Sequence, residues 1–69
     1  MNDDRSDQAL LAKLALLRQE HQDLDASIYA LGQQPLPDQL LLMRLKRKKL
    51  AVRDQIVQLE DQLTPDIIA

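Results

Sequence analysis

Two stretches of the chain place apolar residues at alternating steps of three and four, which is the spacing of a heptad seam. The first seam comprises Leu10, Leu14, Leu17, His21, Leu24, Ile28 and Leu31. The second seam comprises Leu42, Leu45, Lys49, Val52, Ile56, Leu59 and Leu63. Neither stretch contains Gly or Pro, and good helix formers dominate both. The pattern predicts two amphipathic α-helices, over residues 6–31 and 38–63, and the first helix is expected to start between residues 3 and 6.

The segment between the seams carries the residues that end one helix and begin another. Gly32 follows the first seam, and Pro35 and Pro37 come shortly after it. Asp38 can then cap the free N–H groups of a new helix. A turn over residues 32–37 is short enough to make the helices antiparallel neighbours. We therefore predict an all-α fold, an antiparallel two-helix, coiled-coil-like hairpin, with a flexible N-terminus over residues 1–5 and an apolar tail over residues 64–69.

Folding at this turn pairs residues whose numbers sum to about 70, so that the apolar rows meet and His21 falls opposite Lys49. The two polar breaks in the seams are then expected to share one layer, which sets the register as buried polar seam residues do. Two other interpretations of His21 remain open. It could act as a pH-sensitive switch beside an ammonium group, or as a metal ligand shared across a dimer.

Charged residues flank the second seam. In the predicted register Lys48 lies near Glu20 and Lys46 lies near Asp25, and such flanking pairs set orientation more than stability. Three basic residues remain outward: Arg44, Arg47 and Arg53. We expect a solvated helix face there, and the alternative is a strip that binds nucleic acid or another anionic surface.

Apolar residues outside the seams point to a further partner. Met43, Leu50 and Val57 repeat at intervals of seven on the second helix. The first helix adds Leu11, Leu16 and Tyr29. An apolar face wider than one seam favours a second neighbour, and a chain of 69 residues without cysteine has few other means of stabilisation. These six residues form the predicted dimer face of a four-helix assembly; the alternative is a groove for another protein's helix.

Composition narrows the function further. The net charge of −2 and the single aromatic residue, Tyr29, disfavour general nucleic-acid binding. No nucleophile–histidine or paired-carboxylate pattern is evident, the lone histidine cannot build a metal site within one chain, and no glycine-rich phosphate loop exists. We expect no enzymatic activity, no cofactor and no small-molecule substrate. The acidic start lacks a signal-peptide pattern and no apolar run could span a bilayer, so we expect a cytoplasmic protein without a membrane partner.

The last residues, Ile67, Ile68 and Ala69, form an apolar end after Pro65. We expect this tail to fold over the open end of the hairpin near Leu10 and Leu11. The alternative is a docking tag read by a strand-adding or carboxylate-capturing protein partner.

Two sequence segments resemble a known family. His21, Leu24, Asp25 and Ile28 follow the pattern H-x-x-L-D-x-x-I ahead of a Pro-Asp turn, and the run over residues 45–56 follows it. This combination is similar to the YdcH-like family of small bacterial proteins, a domain of unknown function, over about residues 14–63. The resemblance implies a two-helix hairpin, commonly self-associating, in a bacterial cytoplasm, and implies no known activity. By position, it picks out His21, Asp25, Lys46, Lys49, Leu50 and Asp54.

Overall fold

The protein is a hairpin of two helices in the computed structural model, which describes residues 3–63 and, for side chains, residues 7–63. Helix α1 spans Asp3–Gly32 and helix α2 spans Gln39–Leu63. Helix α1 begins at Asp3, the first residue of the range predicted for its start, so residues 3–5 are helical, where the predicted domain boundaries put a flexible N-terminus. Nothing in residues 3–6 opposes this extension, because that segment contains neither Gly nor Pro.

The start of α2 has the predicted cap. The backbone N–H of Leu41 donates a hydrogen bond of 3.0 Å to Oδ1 of Asp38. The backbone N–H of Leu42 donates a hydrogen bond of 3.0 Å to the carbonyl oxygen of Asp38. Asp38 is therefore the N-cap itself, and the helix begins one residue after the predicted position.

The end of α1 differs from the expected glycine cap. Gly32 is the last helical residue and its backbone is not left-handed, so it does not serve as a C-terminal glycine cap. Instead, the N–H groups of Gln33 and Gln34 donate to the carbonyls of Ala30 and Leu31 at 3.2 and 3.3 Å. These i→i−3 bonds tighten the chain into a 3₁₀-like turn before Pro35.

The core lies between the helices along the two seams. Among residues 7–63, six are buried, and all six are seam positions: Leu14, Leu17, Leu24, Leu42, Val52 and Leu59. Leu10, Leu45, Ile56 and Leu63 are partly buried and pack against this row. The alternating steps of three and four therefore located the buried face of each helix.

The molecule is long and thin, with principal extents of 55 × 24 × 14 Å and a radius of gyration of 15.9 Å. A compact domain of this length has a radius of gyration of about 11 Å. The thin shape follows from two helices that bury only their shared seam, and it leaves both broad faces of the hairpin exposed. Within residues 3–63, neither helix is long and apolar enough to cross a membrane.

Candidate functional site

Two ion pairs between the helices mark opposite edges of the seam. At one edge, Nη2 of Arg18 donates to Oε2 of Glu60 at 2.8 Å. At the other edge, Nζ of Lys48 lies 3.8 Å from Oε2 of Glu20, the pair that the register predicts. We call these the Arg18–Glu60 edge and the Glu20–Lys48 edge. Both pairs are solvent-exposed, so they orient the helices rather than stabilise them strongly.

The carboxylate of Asp25 has a different partner from the predicted one. Nζ of Lys49 donates to Oδ1 of Asp25 at 2.8 Å, so Asp25 pairs with Lys49 and not with Lys46. This hydrogen bond, and next the charge of Lys49, hold the pKa of Asp25 below its ordinary value, and the charge of His21 lowers that pKa further. The lysine side chain is only 30% exposed. Its aliphatic stem is therefore held near the seam while its ammonium group reaches the edge.

The ion pairs reach across the register by different amounts. Their paired residue numbers sum to 78, 68 and 74, on both sides of the predicted 70. His21 and Lys49 are both half-buried at the seam, as expected of the polar layer. The layer is staggered, however, because Lys49 meets Asp25, one helical turn beyond His21.

Five exposed apolar residues share the Arg18–Glu60 edge. Leu11 and Tyr29 lie seven residues before and eleven residues after Arg18, about two and three helical turns, and therefore on the same side of α1. On α2, Val57 is three residues from Glu60 and lies on the same side of the helix. Leu50 and Met43 precede Val57 by two and four helical turns, so they share that side. All five side chains are exposed: Leu11, Tyr29, Met43, Leu50 and Val57. We call this set the apolar face.

Leu16 does not lie with this set, although the sequence pattern predicts it to be part of the same dimer face. It lies one turn from Glu20 and therefore follows the Glu20–Lys48 edge. Its side chain is 72% exposed and stands apart from the other five. The grouping failed because exposure off the seam does not by itself say which side of the seam a residue occupies.

An open groove lies at the end of the hairpin farthest from the turn. It has a volume of about 420 Å³ and is lined by Leu11, Leu14, Leu63, Arg18 and Glu60. Three leucines supply apolar walls, and the ion pair supplies a polar one. The groove therefore suits a side chain that has an apolar body and a polar tip.

The three outward arginines do not form one strip. Arg53 lies seven residues from Glu60, on the Arg18–Glu60 edge, whereas Arg44 lies one turn from Lys48, on the other edge. Arg47 lies on the back of α2, between these two positions. All three are exposed, but they diverge around the helix and do not line a single groove for a phosphate backbone.

Sequence reasoning missed the Arg18–Glu60 pair and the groove beside it. The sequence does carry a signal for the pair, because Arg18 and Glu60 each directly follow a seam residue. In two antiparallel helices, such flanking positions lie at the same edge of the seam. Among the residues that the structure describes, no three His, Cys, Asp or Glu side chains are placed to hold a metal ion. The candidate docking tail, with Ile67, Ile68 and Ala69, lies outside the described residues.

A comparison with known proteins finds a family match in the central part of the chain. A family model described as "Protein of unknown function (DUF465)" matches residues 14–60, which is more than half of the chain and covers both sides of the turn. No curated protein matches significantly, and neither does any solved structure. The segment matched contains the H-x-x-L-D-x-x-I pattern and the basic run of α2. The chain therefore belongs to the DUF465 family of unknown function, to which the YdcH-like proteins also belong.

Proposed function

We propose that this protein is a non-catalytic interaction module that self-associates through the apolar face, forming a dimeric four-helix assembly. The observation that carries the proposal is the set of five exposed apolar side chains on one edge of the hairpin: Leu11, Tyr29, Met43, Leu50 and Val57. Large exposed apolar patches on small soluble domains mark interaction sites.

The exposed area of the hairpin also supports a partner. The chain exposes 5472 Å², whereas a folded monomer of its mass typically exposes about 4,400 Å². A face of 55 × 24 Å is large enough for the roughly 800 Å² that each partner buries in a standard interface. Covering this face with a second hairpin would bring the exposed area per chain back to the ordinary range.

The resemblance to YdcH-like proteins, which implies self-association in a bacterial cytoplasm, supports the same proposal. We propose the bacterial cytoplasm as the location of this protein. The alternative, an accessory factor that binds nucleic acid through Arg44, Arg47 and Arg53, has less support because these side chains lie on different sides of α2.

Sedimentation velocity over a dilution series tests the proposal with two matched variants. Leu50→Glu places a charge in the apolar face, and Leu16→Glu places the same charge on the other edge, where the side chain is also exposed. We expect the wild type to be a dimer at high micromolar concentration, Leu50→Glu to weaken association at least tenfold (about 1.4 kcal/mol), and Leu16→Glu to leave it unchanged. Circular dichroism checks that both variants stay helical. A monomeric wild type at high micromolar concentration contradicts the proposal.

A further inference from the structure

The apolar face has different features at its two ends. The groove lies at the open end, beside Leu11 and the Arg18–Glu60 pair. Tyr29, the one aromatic residue of the chain, lies near the turn and is 70% exposed. Tyr29 follows Leu11 by 18 residues of continuous helix, about 27 Å along its axis. A tyrosine can therefore reach this groove only from a second molecule.

We infer that two copies pack end over end, with Tyr29 of each copy seated in the groove of the other; this inference rests on the proposed self-association. A tyrosine has an apolar ring and a hydroxyl group that needs a hydrogen-bond partner. The groove offers leucine side chains for the ring and the Arg18–Glu60 pair for the hydroxyl group. A two-fold axis makes this contact twice, as a closed, self-complementary interface requires, and buried aromatic anchors carry much of the energy of interfaces.

The row of exposed apolar residues on α2 fits the same arrangement. Met43, Leu50 and Val57 are spaced evenly at seven residues and all are exposed. Turning a second copy end over end about Leu50 places α2 on α2, Leu50 on Leu50, and Met43 on Val57. Packing two copies in the same direction would instead place α2 on α1, with Leu50 against the segment near Gln22. The end-over-end arrangement thus matches apolar residues along the whole row.

Charge favours the same orientation. Residues 19–52, which form the turn half of the hairpin, carry five basic and four acidic side chains, a net charge of +1. Residues 3–18 and 53–63, which form the open half, carry four basic and six acidic side chains, a net charge of −2. End-over-end packing brings each positive half against a negative half. Such complementarity sets orientation more than affinity.

Cysteine crosslinking tests the orientation, because the chain has no cysteine of its own. We expect Leu50→Cys to form a disulfide-linked dimer under mild oxidation at least ten times faster than Leu16→Cys, the matched control on the other edge. Opposed positions on a two-fold axis can meet the short Cα separation that a disulfide needs. A mixture of Met43→Cys and Val57→Cys chains should form the mixed dimer in preference to either homodimer.

The intrinsic fluorescence of Tyr29 provides a second measurement on the unmodified chain. Its quenching by acrylamide should fall at least twofold between dilute monomer and concentrated dimer, and Leu11→Arg should restore the quenching. If Leu50→Cys crosslinks no faster than Leu16→Cys while sedimentation shows a dimer, the orientation is wrong and the proposed self-association stands. Quenching that is independent of concentration in a dimer overturns the seating of Tyr29. A wild-type monomer in sedimentation overturns both proposals.

Discussion

Lys49 shows how one polar residue fits an otherwise apolar seam. Its side chain is only 30% exposed, at a seam position that usually excludes an ammonium group. The long aliphatic stem removes the conflict, because it packs near the seam while Nζ reaches Oδ1 of Asp25 at the edge. A lysine tolerates this position because it can pair with a carboxylate outside the core. The same contact makes Asp25, rather than His21, the partner through which the polar layer can be tested.

Replacing Lys49 should therefore change the titration of Asp25. The hydrogen bond and charge of Lys49 lower the Asp25 pKa from its ordinary value of 3.8. We expect Lys49→Gln to raise that pKa towards 3.8, because both effects are lost. Lys46→Gln, the control at the position first predicted to pair with Asp25, should leave the pKa nearly unchanged. The measurement is a titration of the Asp25 carboxyl carbon by NMR, and an equal rise in both variants would contradict the assigned pair.

The same shift fixes the sign of the pH dependence. A carboxyl group whose folded-state pKa is lowered stabilises the fold fully at pH values above its unfolded pKa. That contribution is lost as the pH falls through the folded-state pKa, which here lies below 3.8. The stability difference between the wild type and Lys49→Gln should accordingly shrink in this acidic range.

At the scale of the elements, the two helix ends that meet at the turn are held by different means. Helix α2 begins with a side-chain cap from Asp38. Helix α1 ends at Gly32 without a left-handed residue, and the turn is closed by i→i−3 hydrogen bonds. Gly32 is thus a helical residue in open space, since a Cβ atom built there meets nothing within 4 Å.

Gly32→Ala should therefore stabilise the hairpin. Alanine loses less backbone entropy on folding, and the site offers neither a clash nor a strained backbone, so we expect a gain of about 0.5 kcal/mol. Ala30→Gly, an exposed position in the same helix, is the matched control and should lose a similar amount. Urea unfolding followed by circular dichroism measures both variants. A loss of about 1 kcal/mol for Gly32→Ala would mean that the glycine is left-handed after all.

The sequence predicted the seams well because helical periodicity is local. Steps of three and four define the buried face of each helix without knowledge of the other, and all six buried residues lie on the predicted seams. Periodicity alone does not determine the register, because a slide of three or four residues still brings apolar rows together. Only the polar pairs distinguish such registers. Lysine and arginine reach far enough to choose among several carboxylates, so Asp25 bonds to Lys49 instead of Lys46.

At the scale of the whole molecule, the hairpin has little interior for its length. Residues 7–63 bury six apolar side chains, and none of the side chains in this range is completely shielded from solvent. Small single-layer folds need an additional source of stability. The chain has no cysteine for a disulfide, and the proposed association of two copies through the apolar face would supply such stability. Folding and association should therefore be coupled.

This coupling predicts a melting temperature that depends on protein concentration. In a dimer that melts to unfolded monomers, a tenfold dilution removes about 1.4 kcal/mol of stability per mole of dimer. For a pair of chains of this size the melting temperature should fall by roughly 4–6 °C for each tenfold dilution. Leu50→Glu, whose association should be at least tenfold weaker, should melt below the wild type at every concentration, by at least as much as one tenfold dilution lowers the wild type, and Leu16→Glu should melt with the wild type. The measurement is thermal unfolding by circular dichroism from low to high micromolar concentration. A wild-type melting temperature that stays constant over this range would mean that each hairpin is stable alone and that the apolar face contributes nothing to folding.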